Sequence, residues 1–177
     1  MKFTLKNGEV VEIREVLPTD KPKDFRDFIG KIVRERPQPF IVTDRVPSMK
    51  EEAVWLKGNR GKIRKKEMVK LVAWRGSEII GVCDASRQRG VERENAMIGI
   101  SIAKLYREQG LGKKLLMEII KLARKKLKPR IIYLTVFEGN KPARRLYEKV
   151  GFREVASLPK WSKARGKYWN HIYMRLK

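Results

Sequence analysis

The sequence predicts a mixed α/β (α+β) fold, in which a mixed, mostly antiparallel sheet carries packed helices. Blocks of alternating, β-branched residues interleave with blocks of 3.6-residue apolar period along all 177 residues. Turn and cap signals fall between the blocks. No internal repeat, low-complexity tract or Gly/Ser linker interrupts them, so residues 1–177 read as one domain.

The elements follow in order. Lys2–Leu5 and Val10–Arg14 flank Asn7-Gly8, a hairpin signal. Pro18-Thr19-Asp20 offers a cap for a helix through Phe25, Phe28, Ile29, Ile32 and Val33. Pro37 and Pro39 break the chain. Ser48 with Glu51 is a capping box opening a short second helix through Trp55 and Leu56. Met68–Trp74 and Glu78–Cys83 read as a hairpin about Gly76, followed by a basic, polar loop from Ser86 to Arg93. Ala96–Ile102 is a further strand. Leu111, Leu115, Leu116, Ile119, Leu122, Ala123 and Leu127 mark a helix that Pro129 stops. Ile131–Phe137 is a β-branched strand, and Asn140 caps a helix that ends at Gly151. Phe152–Leu158 and Tyr168–Leu176 close the chain as strands.

Composition narrows the class. With 42% apolar and 8% aromatic residues the chain can build a core. One cysteine, Cys83, and one histidine, His171, exclude a disulfide framework, a Cys-based zinc site and a His-rich metal site. No apolar run approaches a membrane span, and no signal peptide precedes the first strand, so a cytoplasmic, reducing location is expected. The charge is the outlier: 43 Lys+Arg against 20 Asp+Glu, a net +23. Basic residues crowd into 57–70, 113–130 and 160–167. Such a field concentrates polyanions such as RNA, ribosomes or a phosphorylated cofactor, while a thermophile's charged surface explains it equally.

The unit 96–127 joins a strand, a glycine turn and a helix. A helix N-terminus presents unpaired N–H groups and the positive end of the macrodipole, and so favours an anion. Gly110 and Gly112 remove side chains where a backbone would approach a pyrophosphate, and Lys113 and Lys114 add cations. The Walker spacing is absent, and Leu115 stands where a dinucleotide fingerprint has its third glycine.

These residues carry a resemblance. Arg107-x-x-Gly110-x-Gly112 resembles the Q/R-x-x-G-x-G/A signature of the GNAT acetyltransferase superfamily. Thirty residues on, Asn140, Ala143, Leu146, Tyr147, Lys149, Gly151 and Phe152 match its N-x-x-A-x-x-L-Y-x-K-x-G-F segment at every fixed position. The resemblance implies splayed central strands, helices on both faces, and N-acetyl transfer from acetyl-CoA to a primary amine. By it, the backbone of Ile100 and Ile102 would pair with pantetheine amides. The turn formed by Arg107, Glu108, Gln109, Gly110, Leu111, Gly112 and Lys113 would hold the pyrophosphate. Asn140 would cap its helix and touch the cofactor arm, and Tyr147 would be the general acid at the thioester sulfur.

The base is less determined. Ribosomal-protein acetyltransferases resembling this chain carry a glutamate five residues before the motif asparagine, where Thr135 stands here. Glu94, by strand alternation near the position used in histone-type members, is one candidate and Glu138 another; a water chain is the third. The ending Gly166-x-Tyr168-x-Asn170-x-x-x-Met174 resembles that of small-amine and ribosomal-protein members, and Trp161, Tyr168 and Trp169 either wall the acceptor site or pack the last hairpin. His171 reads as structural, and Cys83 as a buried strand residue. The acceptor stays open between a protein N-terminus, a ribosomal protein and a small amine. An RNA- or ribosome-associated module with a regulatory or vestigial acetyl-CoA site is the rival. A homodimer is also open, and no metal is expected.

Overall fold

The computed structural model describes residues 1–36, 43, 45–164 and 166–177. The proline break at 37 and 39, and Arg165 of the third basic cluster, lie outside the described residues. Among the described residues, eight strands form one sheet: β1 (Lys2–Thr4), β2 (Val10–Glu15), β3 (Met68–Arg75), β4 (Glu78–Arg87), β5 (Asn95–Ile102), β6 (Ile131–Phe137), β7 (Phe152–Ala164) and β8 (Lys167–Leu176). Four helices pack on it: α1 (Pro22–Val33), α2 (Met49–Arg64), α3 (Leu111–Lys126) and α4 (Lys141–Val150). The order across the sheet is β1-β2-β3-β4-β5-β6-β8-β7, antiparallel throughout except where β5 meets β6.

The helices lie on both faces. A Cβ at Gly81 would touch Leu111 and Leu115, so Gly81, Cys83 and Ala85 of β4 face α3. The alternate residues Val82 and Asp84 line a cavity shared with α1 and α2. Helix α3 buries Leu111, Leu115, Leu116, Ile119, Ile120 and Ala123 against the sheet, the stripe its 3.6-residue period requires. Tyr147 of α4 meets Phe152 edge-on, with ring centroids 6.2 Å apart.

The parallel pair positions the site. β5 and β6 are paired only from Asn95↔Ile131 to Met97↔Tyr133. Beyond that, β6 stays paired with β8, from Tyr133↔Arg175 to Phe137↔His171. From Ile98 onward the β6-facing edge of β5 therefore has no strand partner, and the two strands form an open V.

Some boundaries differ from the sequence reading. Asp20 caps no helix; it holds Arg14 at 2.6 Å and accepts the Leu17 N–H, and α1 starts at Pro22, which suits a residue without an N–H. α2 runs on to Arg64 despite Gly58 and Gly61. Its far half is tied down by Arg60, which donates to the carbonyls of Leu17 and Asp20, and Lys62 and Arg64 suit its C-terminal dipole. β4 continues through Ser86 to Arg87, because Ala96 and Met97 of β5 still pair with it there.

Candidate functional site

The turn before α3 is a backbone concavity suited to an anion. Glu108 and Gly110 both take left-handed conformations, φ 62° and 86°. Alternation of this kind turns successive N–H groups toward one concavity. Gly110 is the N-cap of α3 and no side chain caps the helix, so the first N–H groups, from Leu111 to Lys113, keep their capacity for an anion. Lys113 is exposed beside them.

Neighbours fix the turn. The Arg107 guanidinium donates to the Ile102 carbonyl at 2.9 Å and to Glu35 at 2.6 Å, tying the turn to the end of β5 and the segment after α1. The tip of the first hairpin holds Gln109: Lys6 donates its N–H to the Gln109 carbonyl, and Asn7 to its side-chain oxygen, both at 3.2 Å. The two glycines serve different needs. A Cβ at Gly110 would meet only Phe3, at 3.7 Å, so that position needs glycine for its φ. A Cβ at Gly112 would fall 2.9 Å from Leu146 and 3.2 Å from Ile102, so its glycine lets α3 pack closely on α4 and β5. Packing is thus a demand for glycine at this position that holds whatever the turn binds.

The other arm of the V, β6, leads through Asn140 into α4, the helix that carries Tyr147. Asn140 follows β6 and caps α4, accepting the Ala143 N–H at 3.4 Å. Tyr147 is buried, and that burial raises the phenol above its ordinary range; Cys83, on the α3-facing side of β4, adds to the rise. The phenol thus remains a proton donor. Cys83 is itself fully buried and its thiol pushed well up by the same desolvation, with Asp84 adding to it.

Glu94 is not brought to this place. It is exposed, ahead of β5, and its carbonyl accepts the N–H groups of Arg130 and Ile131 at the closed end of the V. Eight residues of strand separate it from Ile102, roughly 26 Å. Glu94 thus stands at the closed end of the V, because strand alternation gave its face but not its distance along the strand. Glu138 is exposed just past β6, on the open side. Thr135 lies within β6, paired with Tyr173.

The C-terminal aromatics do not wall the cavity. Trp161 and Tyr168 are 62% and 63% exposed. Trp169 lies over Gly139, where a Cβ would collide with its ring. His171 packs edge-on to Phe137 at 4.5 Å, and desolvation lowers its pKa, keeping the ring neutral.

A cavity of about 510 Å³ opens instead on the α1–α2 face. Phe25, Phe28 and Trp55 supply aromatic wall; Lys70 and Asp84 form its floor beside Gly99 and Ser101 of β5. Lys70 is 2% exposed, bonded to Asp84 at 3.2 Å and seated 4.3 Å from the Trp55 ring centroid. The cavity reaches β5 at the stretch where the V is open, so a ligand threaded through the sheet would present one end to Tyr147 and the other to this chamber. The signal was in the sequence: Lys70 interrupts the apolar run Met68–Trp74, which only a partner across the hairpin can satisfy.

A splayed sheet beside an uncapped helix N-terminus, with a buried phenol on α4 and a charged chamber on the α1–α2 face, is an arrangement suited to an extended anionic ligand. The chain belongs to the acetyltransferase (GNAT) family, which matches residues 30–152. It is 30% identical over 105 residues to the L-amino acid N-acetyltransferase AaaT of Escherichia coli, covering 59% of this chain and 65% of that protein. It is 33% identical over 66 residues to an N-alpha-acetyltransferase of Sulfurisphaera tokodaii, covering 37% and 40%. The matched stretches thus span less than two thirds of either relative. A GNAT-family acetyltransferase from Streptococcus pneumoniae superposes with a TM-score of 0.78 at 26% identity, covering 93% of this chain and 97% of the other. Among the described residues no helix is long and apolar enough to cross a membrane, and no cluster of His, Cys, Asp or Glu could hold a metal.

Proposed function

We propose that the chain is an N-acetyltransferase that moves an acetyl group from acetyl-CoA to a primary amine by direct attack of the amine. The observation that carries this is the open V, with the uncapped α3 N-terminus following one arm and Asn140 and the Tyr147-bearing α4 following the other. In this reading the backbone N–H groups of Glu108 to Lys113 hold the pyrophosphate, while Arg107 and Gln109 shape the turn. The free edge of β5 at Ile100 and Ile102 takes the pantetheine amides as an added strand would. The side-chain oxygen of Asn140 is engaged by its helix cap, so its Nδ2 is left to contact the same arm. Tyr147 keeps its proton at working pH and donates it, or a hydrogen bond, to the departing sulfur.

The acceptor enters from the α1–α2 chamber, opposite Tyr147, so proton donor and incoming amine do not compete for space. A protein N-terminus ranks ahead of a small amine, and a free polyamine is disfavoured by the net +23. The same charge supports a second reading, an RNA- or ribosome-associated protein of the cytoplasm whose acetyl-CoA site is regulatory. A turnover screen with acetyl-CoA over N-terminal peptides, small amines and purified ribosomes separates the two. Acetylation of one amine class identifies the enzyme; acetyl-CoA binding with no turnover on any of them leaves the regulatory reading.

A further inference from the structure

One residue on the chamber wall breaks the pattern of its helix. The buried stripe of α2 is Glu52, Leu56 and Asn59, spaced four and then three residues apart. Glu52 thus occupies a core position where an apolar side chain belongs. It is 6% exposed, and among the described residues its carboxylate makes no hydrogen bond or ion pair. The other charges of the chamber are matched internally: Arg45 holds Glu51 at 2.5 Å and Lys70 holds Asp84 at 3.2 Å. Glu52 is the carboxylate left over. Desolvation raises its pKa, with Lys70 and Arg26 as the nearby cations opposing the rise. Its place in the first turn of α2 favours the ionised form through the helix dipole.

A buried carboxylate without a partner is a standing cost to the fold. It is also a site for one cation. Phe25, Phe28, Ile29, Trp55 and Val82 make much of the wall apolar, with Thr43 and Ser101 as uncharged polar members, and among the described residues no cation on it lacks a carboxylate of its own. Resting on the acetyltransferase reading, we propose that Glu52 receives the acceptor's ammonium group, and that the acceptor is a singly charged primary amine with an apolar body and no carboxylate, the chemistry of an apolar peptide N-terminus. A polyamine would bring further ammonium groups that only Glu51 or Asp84 could meet, each at the expense of an existing pair. A free amino acid would bring a carboxylate that only Lys70 or Arg45 could meet, at the expense of an existing pair.

The test is a calorimetric titration at pH 7 of the parent and of Glu52→Gln with L-phenylalaninamide, L-phenylalanine and spermidine, none of which requires the donor to be present. The parent should prefer L-phenylalaninamide to both other probes, and Glu52→Gln should bind it at least about tenfold more weakly. The variant's melting temperature should equal or exceed the parent's, because an unpaired buried charge has been removed. Equal affinity in the two proteins, preference for spermidine or for the free amino acid, or a lowered melting temperature each overturns the proposal. Titration of the parent with acetyl-CoA runs alongside. No binding there sinks the acetyltransferase reading by itself and leaves the amine result to decide Glu52.

Discussion

Replacing Gly110 separates two explanations of the cradle. Its φ of 86° lies in the left-handed region, and a Cβ there would meet only Phe3 at an ordinary 3.7 Å. The cost of a side chain is therefore conformational. Gly110→Val should destabilise by at least about 1–2 kcal/mol. For a chain of this length that lowers the melting temperature by about 2–8 °C. If the turn relieves the strain by rotating, its N–H groups leave their convergent arrangement and acetyl-CoA affinity should fall about tenfold, or about 1.4 kcal/mol. Gly110→Asn adds a side chain of similar size but tolerates the left-handed conformation, so it should keep most of both stability and affinity. Differential scanning calorimetry and isothermal titration of acetyl-CoA read the two quantities. Parent-like affinity in Gly110→Val would remove the pyrophosphate from this turn. An Asn variant with full stability but Val-like loss of affinity would refute the conformational argument and show that the ligand needs the space itself.

Other perturbations read other parts of the site. Tyr147→Phe should lower kcat by roughly 10² to 10⁴ with acetyl-CoA affinity unchanged in calorimetry; unchanged kcat would make the residue a packing one. Glu94→Gln, at the closed end of the V, should leave kcat and its pH profile as in the parent, and a loss of the acidic limb, where activity falls as a base is protonated, would make it the base. Burial raises both the Cys83 thiol and the Tyr147 phenol, so the unfolded chain ionises first, at about 8.5 and about 10. Their contribution is complete below those values and is lost as pH rises past them, so denaturant midpoints should fall on the alkaline side, and less so in Cys83→Ala relative to its own neutral value. If the +23 surface serves RNA, log K against log salt should be linear and steep, whereas weak binding at about 50 mM salt would return the charge to general surface chemistry.

Much of the scaffold was legible because its signals are local. The Asn140 cap, Gly151 in its left-handed terminal position with φ 106°, and the stripe of α3 each lie within a few residues of what they determine. What escaped was set by long-range contact. Gln109 is held by Asn7 from 102 residues away, so nothing near the motif reveals that the first hairpin braces it. Gly112 is required by Leu146 and Ile102, neighbours only after α3 and α4 have packed. Trp161, Tyr168 and Trp169 read equally as a wall of the acceptor site or as packing of the last hairpin, and two of them face solvent. Lys70 was readable in principle, as a cation in an apolar strand. Its partner Asp84 lies fourteen residues on, across the β3–β4 hairpin.

The positions where this chain departs from ordinary burial rules do not scatter. Among the described residues the buried polar side chains are Asp20, Asn59, Glu52 and Lys70. Two of them are explained by the fold alone: Asp20 anchors Arg14, and Asn59 donates to the Trp55 carbonyl at 2.7 Å. The other two, Glu52 and Lys70, line the same chamber. A buried ion pair seldom adds stability over a hydrophobic replacement, and a buried unpaired carboxylate subtracts from it. A core selected for stability alone would have placed apolar residues at both positions. Their convergence beside the stretch of β5 that β6 leaves unpaired is where local rules should fail if the chamber binds a polar ligand. The cost falls on α2 and β3, elements outside the glycine turn and the Asn140 segment. The donor motifs therefore say nothing about the acceptor, and on the reading proposed above its chemistry is written at Glu52.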